Sequence, residues 1–391
     1  MKKLYLAYTI LTIVVFCVFF SGCLSDQSSD DTTKDTTSSE NKDTSESNVV
    51  TFDYPPVDLE KVAYILPMGG MSGGHVTPID HQYYLSYDFS LGANAAVDIE
   101  VYSPAAGTVT SIQHMSVAAG DNPMPVDDFR LTIQHNTTIS SIYIHIDELS
   151  EKLATVDPGF GEYATVEVEV SAGEVIGRYG GSVDYNFVDE KVTLPFINPT
   201  SYDQEPWKIH CPDPFDYFNE SIKSTLIEKC VRTHDPLGGK ICYDIDGRLA
   251  GTWFEEGTNG YEGLDPERYW AGHLSIVYDS IDPKAVIVSI GTFVDTAKQF
   301  AVLGNSPDPA TISMEAGLVV YELVDFEYVI NDTVWDGQSL VKGLTVRTSE
   351  YVQGVILLQL LDARALKVEI FPEKTAAEVS DFTDAYKMYE R

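Results

Sequence analysis

The stretch Ala164-Thr165-Val166-Glu167-Val168-Glu169-Val170 alternates strictly between apolar and polar side chains, so that its polar side chains share one face. Alternation with a period of two residues is typical of a β-strand that is buried on one face only. The turn Ala172-Gly173-Glu174 follows, and Val175-Ile176-Gly177 begins another strand. This stretch therefore predicts two strands joined by a turn, which is typical of a mainly β fold.

Segments with a strand signature lie on both sides of this stretch. They are short, rich in β-branched and aromatic residues, and bounded by turn residues, and they cover residues 97–112, 129–135, 141–146, 249–254, 273–278, 285–290, 318–323, 355–361 and 366–371. Between the two groups, Pro212 to Lys229 carries apolar side chains that suit a helix packed on a sheet. We therefore predict a β domain over residues 52–196, a connector with one helix over 197–246, and a second β-rich domain over 247–391.

The charge of the chain limits its partners. Its 391 residues include 25 Lys and Arg against 60 Asp and Glu, which gives a formal net charge of −35. Such an acidic excess argues against nucleic acid and anionic lipid surfaces as partners. The hydrophobic content of 44% is nevertheless sufficient for a large apolar core.

The amino-terminal segment predicts export. Lys2 and Lys3 precede an apolar run from Leu4 to Phe20, and Ser21-Gly22-Cys23 follows it. A charged start, an apolar centre and a small-residue exit are typical of a secretory signal. Small residues before a cysteine resemble the lipobox of lipoproteins, which implies a lipid on Cys23. The alternative is an uncleaved signal anchor, since the run is nearly long enough to span a bilayer.

Residues 24–51 predict a disordered acidic tether. They are rich in Ser, Thr, Asp and Glu and contain almost no apolar side chains. Such a segment cannot bury enough surface to offset the entropy lost on ordering. With either form of the amino-terminal anchor, we expect an extracytoplasmic protein that is attached to the cell membrane.

Three cysteines remain once the predicted signal segment and Cys23 are set aside, namely Cys211, Cys230 and Cys242. Outside the cell, cysteines can form disulfides. Cys230 and Cys242 flank a turn-rich loop over residues 234–239, so they are the candidate pair. An odd number leaves at least one thiol unpaired.

The densest group of metal-capable side chains is His75-Val76-Thr77-Pro78-Ile79-Asp80-His81. Neutral imidazole nitrogens and carboxylate oxygens are good zinc donors. His75, Asp80 and His81 are therefore candidate metal ligands, and Zn²⁺ is the candidate cofactor. The alternative is a surface loop in which Asp80 caps a turn and the histidines face solvent.

Several segments resemble motifs of lysostaphin/LytM-type metallopeptidases, in the same order and with fitting spacing. They are the strand–turn–strand Val101-Tyr102-Ser103-Pro104-Ala105-Ala106-Gly107-Thr108-Val109, the segment Tyr143-Ile144-His145-Ile146, which is similar to "Y-x-H-L", and Ala172-Gly173-Glu174-Val175-Ile176-Gly177, which is similar to "x-G-x-x-I-G". The loop over residues 75–81 resembles the opening of a divergent branch of these proteins, described by a duplicated hybrid motif. Gly251-Thr252-Trp253-Phe254 and Tyr389-Glu390-Arg391 are similar to the same branch.

The resemblance implies a lysostaphin-like antiparallel β-sheet domain with a zinc site in the groove of the sheet, where zinc activates the water that attacks an amide. It places His75 and Asp80 at the first two ligands, with four residues between them instead of the family's three. His145 stands for a histidine that assists the water. The family's "H-x-H" is replaced by Asp184-Tyr185-Asn186, so that Asp184 stands for a helper histidine and the amide of Asn186 for the third ligand.

The incomplete ligand set favours a lysostaphin-like domain that has lost peptidase activity and binds an envelope glycan, a peptide or a surface protein. The second hypothesis is an active metal-dependent endopeptidase, in which His81 is available as a replacement ligand and His145 and Asp184 are the catalytic groups. The third is a structural envelope protein without a ligand site.

Overall fold

The computed structural model describes residues 51–115 and 127–391. Within these ranges the chain forms mainly antiparallel β-sheet, which confirms the predicted mainly β fold. Cys23, the predicted signal segment and the predicted tether up to residue 50 lie outside the described residues. In the same two ranges we find no helix that combines the length and the apolar character needed to cross a membrane.

The first β part contains one large sheet and one small sheet. Its strands are β1 (Val62–Leu66), β2 (Gln82–Ser86), β3 (Ile99–Tyr102), β4 (Gly107–His114), β5 (Phe129–Gln134), β6 (Ile139–Ile146), β7 (Glu148–Leu149), β8 (Tyr163–Val170), β9 (Val175–Tyr179) and β10 (Ser182–Asp189). The large sheet has the order β1-β2-β10-β6-β5-β4-β8, and β3, β9 and β7 form the small one. The short helix α1 (Glu151–Ala154) and the 3₁₀ helix Phe89–Asn94 lie between strands.

Strand β8 shows how the alternating sequence becomes structure. Successive side chains of a strand point to opposite faces, so Glu167 and Glu169 are exposed while Val166 and Val168 pack against the core. β8 is an edge strand of the large sheet. Charged side chains on an edge strand discourage pairing with other chains, which is consistent with its exposed glutamates.

Strand β10 is central to the same sheet and is mostly buried on both faces. Val183, Tyr185 and Phe187 join the main hydrophobic core on one face. Because the side-chain period is two, Asp184 and Asn186 point to the opposite face, where both are buried. This face carries the polar side chains that the family resemblance singled out.

The connector contains the predicted helix in shortened form. Helix α2 spans Glu220–Lys229 and packs on β1, and the 3₁₀ helices Pro199–Tyr202, Pro206–His210 and Pro214–Tyr217 precede it. The side chain of Asn219 accepts a hydrogen bond from the backbone N–H of Ile222 and so caps the start of α2. The residue before the cap, Phe218, is extended, which ends the preceding 3₁₀ turn and explains why one continuous helix over residues 212–229 does not form.

The second β part forms one sheet. Its strands are β11 (Gly251–Glu255), β12 (His273–Tyr278), β13 (Val286–Phe293), β14 (Thr296–Val302), β15 (Leu318–Ile330), β16 (Thr333–Val334), β17 (Thr345–Leu360), β18 (Ala365–Pro372) and β19 (Lys387–Glu390). Their order is β14-β13-β12-β11-β19-β18-β17-β15-β16, and β14 also pairs with β15. The 3₁₀ helices of this part are Gly260–Glu262, Pro266–Gly272, Leu303–Asn305, Met314–Ala316 and Ala376–Glu378.

Strands β15 and β17 are much longer than their sequence patterns predict. The predicted segments 318–323 and 355–361 cover only the apolar ends of the two strands. The remainder of β17, from Thr345 to Tyr351, is polar and largely exposed, so it carries no strong hydrophobic signal. This polar portion is held in the sheet by backbone hydrogen bonds between β15 and β17 and not by burial of its side chains.

The two β parts contact each other directly. The ring of Tyr64 packs edge-on against Trp335 at a centroid distance of 5.4 Å, and its hydroxyl donates to the backbone carbonyl of Gly337 at 2.5 Å. The 3₁₀ helix Pro266–Gly272 of the second part contacts the β1–β2 loop of the first part. In this contact, Gly74 lies against the indole of Trp270. A Cβ atom at Gly74 would approach that ring to about 3.0 Å, so glycine permits this close approach.

The cysteine pairing predicted from the sequence does not form. Cys211, Cys230 and Cys242 are free thiols in the structure. Cys230 belongs to the core of the first β part and its thiol contacts the carbonyl of Leu237, whereas Cys242 packs in a different apolar cluster with Phe254. The two thiols therefore pack in different apolar clusters.

Candidate functional site

Separate segments bring the predicted site residues together on one face of the large sheet. The β1–β2 loop carries His75, Asp80 and His81, strand β6 carries His145, and β10 carries Asp184. Strand β10 pairs with β2 on one side and with β6 on the other, so Asp184 is flanked by side chains from both neighbours. Residues that are up to about a hundred positions apart therefore share one cluster.

Imidazole rings and carboxylates alternate through this cluster. Nδ1 of His81 lies 3.1 Å from Oδ1 of Asp80, and its Nε2 lies 3.1 Å from Oδ2 of Asp184. Nε2 of His145 lies 3.6 Å from the same oxygen of Asp184, and its Nδ1 lies 2.9 Å from Oδ2 of Asp128. Each ring therefore bridges two carboxylates, and Asp184 is common to both.

The carboxylates favour the protonated form of both rings. Burial lowers the pKa of His81, but Asp184 and Asp80 outweigh it and raise the pKa to about 9. Burial likewise opposes protonation of His145, and Asp128 with Asp184 raises its pKa to about 10. Both rings are consequently cationic at neutral pH in this arrangement.

His145 has an unusual backbone conformation, with a φ of 70° at a non-glycine residue in a strand. Left-handed backbone is unfavourable for residues with a Cβ atom, and it is concentrated at functional sites. Its hydrogen bond to Asp128 and its contact with Asp184 hold the ring in place.

Asp80 is saturated by four partners. Its Oδ1 lies 3.2 Å from Nζ of Lys208 and 3.1 Å from the ring of His81. Its Oδ2 accepts hydrogen bonds from Nδ2 of Asn186 at 2.8 Å and from Nε1 of Trp207 at 2.9 Å. Although burial raises the pKa of this carboxyl, Lys208 and His81 hold the pKa well below its usual range.

Lys208 supplies the buried positive charge beside Asp80. Its ammonium also pairs with Glu205 at 3.0 Å and lies 4.8 Å from the centre of the Tyr261 ring. Burial alone would lower the pKa of this amine, but Asp80 and Glu205 raise the pKa above its ordinary value. The ring of Tyr261 adds a cation–π contact, which is strongest for a desolvated cation.

The residues at this position do not fit the zinc site that the resemblance implies. An ionised carboxylate offers about four lone-pair positions, and all four at Asp80 are used. The amide of Asn186, which stands for the third ligand, directs its N–H₂ group to Asp80 and not an oxygen towards a cation. Among the described residues, no group of three or more His, Cys, Asp or Glu side chains is arranged to hold a metal ion.

His75 is set apart from the hydrogen-bonded cluster. Its ring centre lies 6.1 Å from that of His81, and the side chain is half-buried. Burial and the neighbouring charge of His81 lower the pKa of His75 to about 4, so its imidazole is neutral at physiological pH. His75, Tyr83 and His145 are the partly exposed members of the cluster, and we call these three residues the mouth of the site.

Four further residues of the site carry no local sequence signal as strong as that of residues 75–81, namely Asp128, Glu205, Trp207 and Lys208. Asp128 immediately precedes β5, and this position at a strand end could have marked it as a partner for a histidine. The other three lie in or next to the 3₁₀ helix Pro206–His210. These three residues join the site because the connector packs over β10.

No protein-family model matches this chain, and a search of curated proteins likewise found no match. Membership of the lysostaphin-type metallopeptidases therefore stays a prediction that is based on the sequence motifs alone. What the site can do follows from its own contacts, namely two cationic imidazoles, a shared carboxylate and a carboxylate paired with a buried amine.

Proposed function

We propose that this chain is an extracytoplasmic protein, held at the membrane by a lipid on Cys23, whose lysostaphin-like part does not hydrolyse peptides. In this proposal it binds a glycan, a peptide or a protein of the cell envelope. The observation that carries the loss of hydrolysis is the saturation of Asp80 by Lys208, His81, Asn186 and Trp207.

Charge compensation explains why this arrangement opposes hydrolysis. A buried carboxylate needs a cation or several hydrogen-bond donors to offset its desolvation. Here the ammonium of Lys208 meets that need, 3.2 Å from Asp80. An ammonium neutralises a carboxylate, but it does not generate a water nucleophile as zinc does.

The mouth of the site is the part that a ligand would contact. His75 offers a neutral imidazole, and Tyr83 and His145 offer an aromatic face and a cationic ring. Such groups can stack on sugar or peptide groups and donate hydrogen bonds to them. The predicted tether would restrict such ligands to those near the membrane surface.

Loss of hydrolysis is tested with the full-length protein purified in detergent and supplied with zinc. After gel filtration we expect substoichiometric zinc, and after incubation with cross-linked peptidoglycan fragments we expect no new amino termini. Stoichiometric zinc together with cleavage of the fragments would overturn the proposal.

Ligand binding is tested by co-sedimentation of the full-length protein with purified peptidoglycan sacculi. We expect the wild-type protein to sediment with the sacculi and the His75→Ala variant to sediment less. His234→Ala is the matched control, because His234 is an exposed histidine in the connector. Equal behaviour of the two variants would remove the mouth of the site from the proposal.

One observation favours the alternative of a rearranged metal site. Nε2 of His81 and Oδ1 of Asp184 are buried without a hydrogen bond, and the 3.1 Å approach of His81 to the other oxygen of Asp184 is poorly aligned. Unsatisfied buried polar atoms are costly unless a partner is present. If zinc bound there, its content would fall in Asp184→Asn and stay unchanged in Lys208→Met.

A further inference from the structure

Lys208 and Asp80 form a buried pair, with the partly exposed Glu205 beside it, that ligand binding at the mouth of the site does not require. Nζ of Lys208 lies 3.2 Å from Oδ1 of Asp80 and 3.0 Å from Oε2 of Glu205. The side chains of Lys208 and Asp80 are only 7% and 6% exposed. An amine and a carboxyl group that are held in contact and shielded from water are the two reactants of amide formation.

We propose that Lys208 and Asp80 become joined by an isopeptide bond between Nζ of Lys208 and Cγ of Asp80, with the loss of one water molecule. The bond is a property of this chain alone and does not rest on the proposed binding function. Whether the mouth of the site binds a ligand and whether the bond forms are separate questions.

The acyl group is prepared for attack by its hydrogen-bond partners. Oδ2 of Asp80 accepts from Nδ2 of Asn186 at 2.8 Å and from Nε1 of Trp207 at 2.9 Å. When the amine attacks Cγ, the carbonyl electron pair moves onto Oδ2, and these two N–H donors stabilise the negative charge there. Preorganised donors of this kind act most strongly in a site that excludes water.

The remaining oxygen is positioned to leave. Oδ1 of Asp80 faces both the amine of Lys208 and Nδ1 of His81, which lies 3.1 Å away. The ring of His81 orients this oxygen while its bond to Cγ breaks.

Glu205 is positioned to accept the proton that the amine must lose. Glu205 accepts one proton from the ammonium of Lys208 and passes it to Oδ1 of Asp80, which leaves a neutral amine and a neutral carboxylic acid. The freed electron pair on Nζ then forms the new bond to Cγ. The second Nζ proton passes through Glu205 to the same oxygen as its bond to Cγ breaks, so that Oδ1 departs as water and Glu205 regains its starting protonation state. No oxidant, reductant or further reactant is needed.

The surroundings favour the condensed product. Two opposite charges that are costly to bury are replaced by one neutral amide. The ring of Tyr261 and the nearly complete burial of the pair limit access of the water that would reverse the reaction. Because both reactants are fixed on packed elements, little further entropy is lost on reaching the transition state.

The bond would tie the β1–β2 loop to the 3₁₀ helix Pro206–His210 of the connector. It would thereby hold the connector on the large sheet even after the non-covalent contacts were lost. A covalent link of this kind suits a protein predicted to work outside the cell, where no energy-dependent refolding maintains it.

Peptide mapping by mass spectrometry tests the proposal. The full-length protein is denatured, alkylated and digested with trypsin. We expect a branched peptide that contains both Asp80 and Lys208, has a mass one water below the sum of its two parts, and is uncleaved after Lys208. Recovery of the two peptides only in unlinked form would overturn the proposal and leave an ion pair.

Variants assign the roles. Lys208→Ala and Asp80→Ala should abolish the branched peptide, and Lys223→Ala should retain it, because Lys223 forms an exposed pair with Asp216. Glu205→Gln keeps the amine and the carboxyl group, so it should fold and accumulate the branched peptide at least tenfold more slowly. A branched peptide that forms at the wild-type rate in Glu205→Gln would refute the role of Glu205.

Discussion

Raising the pH should destabilise this protein through the two imidazoles that share Asp184. The pKa values of His81 and His145 are raised to about 9 and about 10, above the 6.5 of an unperturbed histidine. A group whose pKa is higher in the folded state binds its proton more tightly there. The contribution of each imidazole to the free energy of unfolding is therefore complete below about pH 6.5 and is lost as the pH rises through 9 to 10.

The size of the effect follows from the pKa differences. At 1.36 kcal/mol per pKa unit, the difference of about 2.5 for His81 corresponds to about 3 kcal/mol, and that of about 3.5 for His145 to about 5 kcal/mol. Because both rings depend on Asp184, the two contributions are coupled and do not add fully. We expect the free energy of unfolding to fall by about 3 to 5 kcal/mol between about pH 6 and pH 10.

Urea unfolding of the full-length protein in detergent measures this loss. The Asp184→Asn variant removes the shared negative charge but keeps the shape of the side chain. Its free energy of unfolding should therefore fall clearly less between pH 6 and pH 10. Asp216→Asn is the matched control, because Asp216 is an exposed carboxylate paired with Lys223, and it should follow the wild-type curve. If the wild-type free energy of unfolding were constant over this range, or if Asp184→Asn lost the same amount, the two imidazoles would not be the cause of alkaline destabilisation.

Three further predictions follow from individual contacts. Lys208→Met leaves the Asp80 carboxyl group buried without its nitrogen partner and should cost about 3 to 5 kcal/mol of unfolding free energy in urea, whereas Lys223→Met at an exposed pair should cost under about 1 kcal/mol. Gly239→Ala should lower the thermal midpoint more than Gly247→Ala, although both have positive φ, because a Cβ at Gly239 would lie 2.2 Å from the carbonyl oxygen of Met68 while Gly247 has open space. Alkylation under non-reducing denaturing conditions should recover Cys230 and Cys242 as separate free-thiol peptides, and a linked peptide would contradict the structure.

Local patterns predicted the elements of this fold well. The alternation in residues 164–170 became β8, and the segments around it became strands of three antiparallel sheets. The helix of the connector was also predicted, but its first part became a 3₁₀ turn because Phe218 is extended and Asn219 provides a cap. The polar half of β17 was missed, since only pairing with β15 makes it a strand.

The candidate site was predicted only in part. His75, Asp80 and His81 stand out because they are close in sequence, and the motif resemblance added His145 and Asp184. The structure brings Asp80, His81, His145 and Asp184 into contact. It also pairs Asp80 with Lys208, which no local pattern indicated.

Side-chain periodicity and turn residues act over a few positions, so local patterns were sufficient to predict the mainly β class and a helix that ends at Lys229. Only the tertiary structure decided that Lys208 neutralises Asp80 and that Cys230 and Cys242 lie in different clusters. Such contacts join residues that are distant in the chain, and they depend on how the connector packs on the large sheet. Burial then sets their chemistry, because a carboxylate removed from water must find its partners among the side chains that packing places beside it.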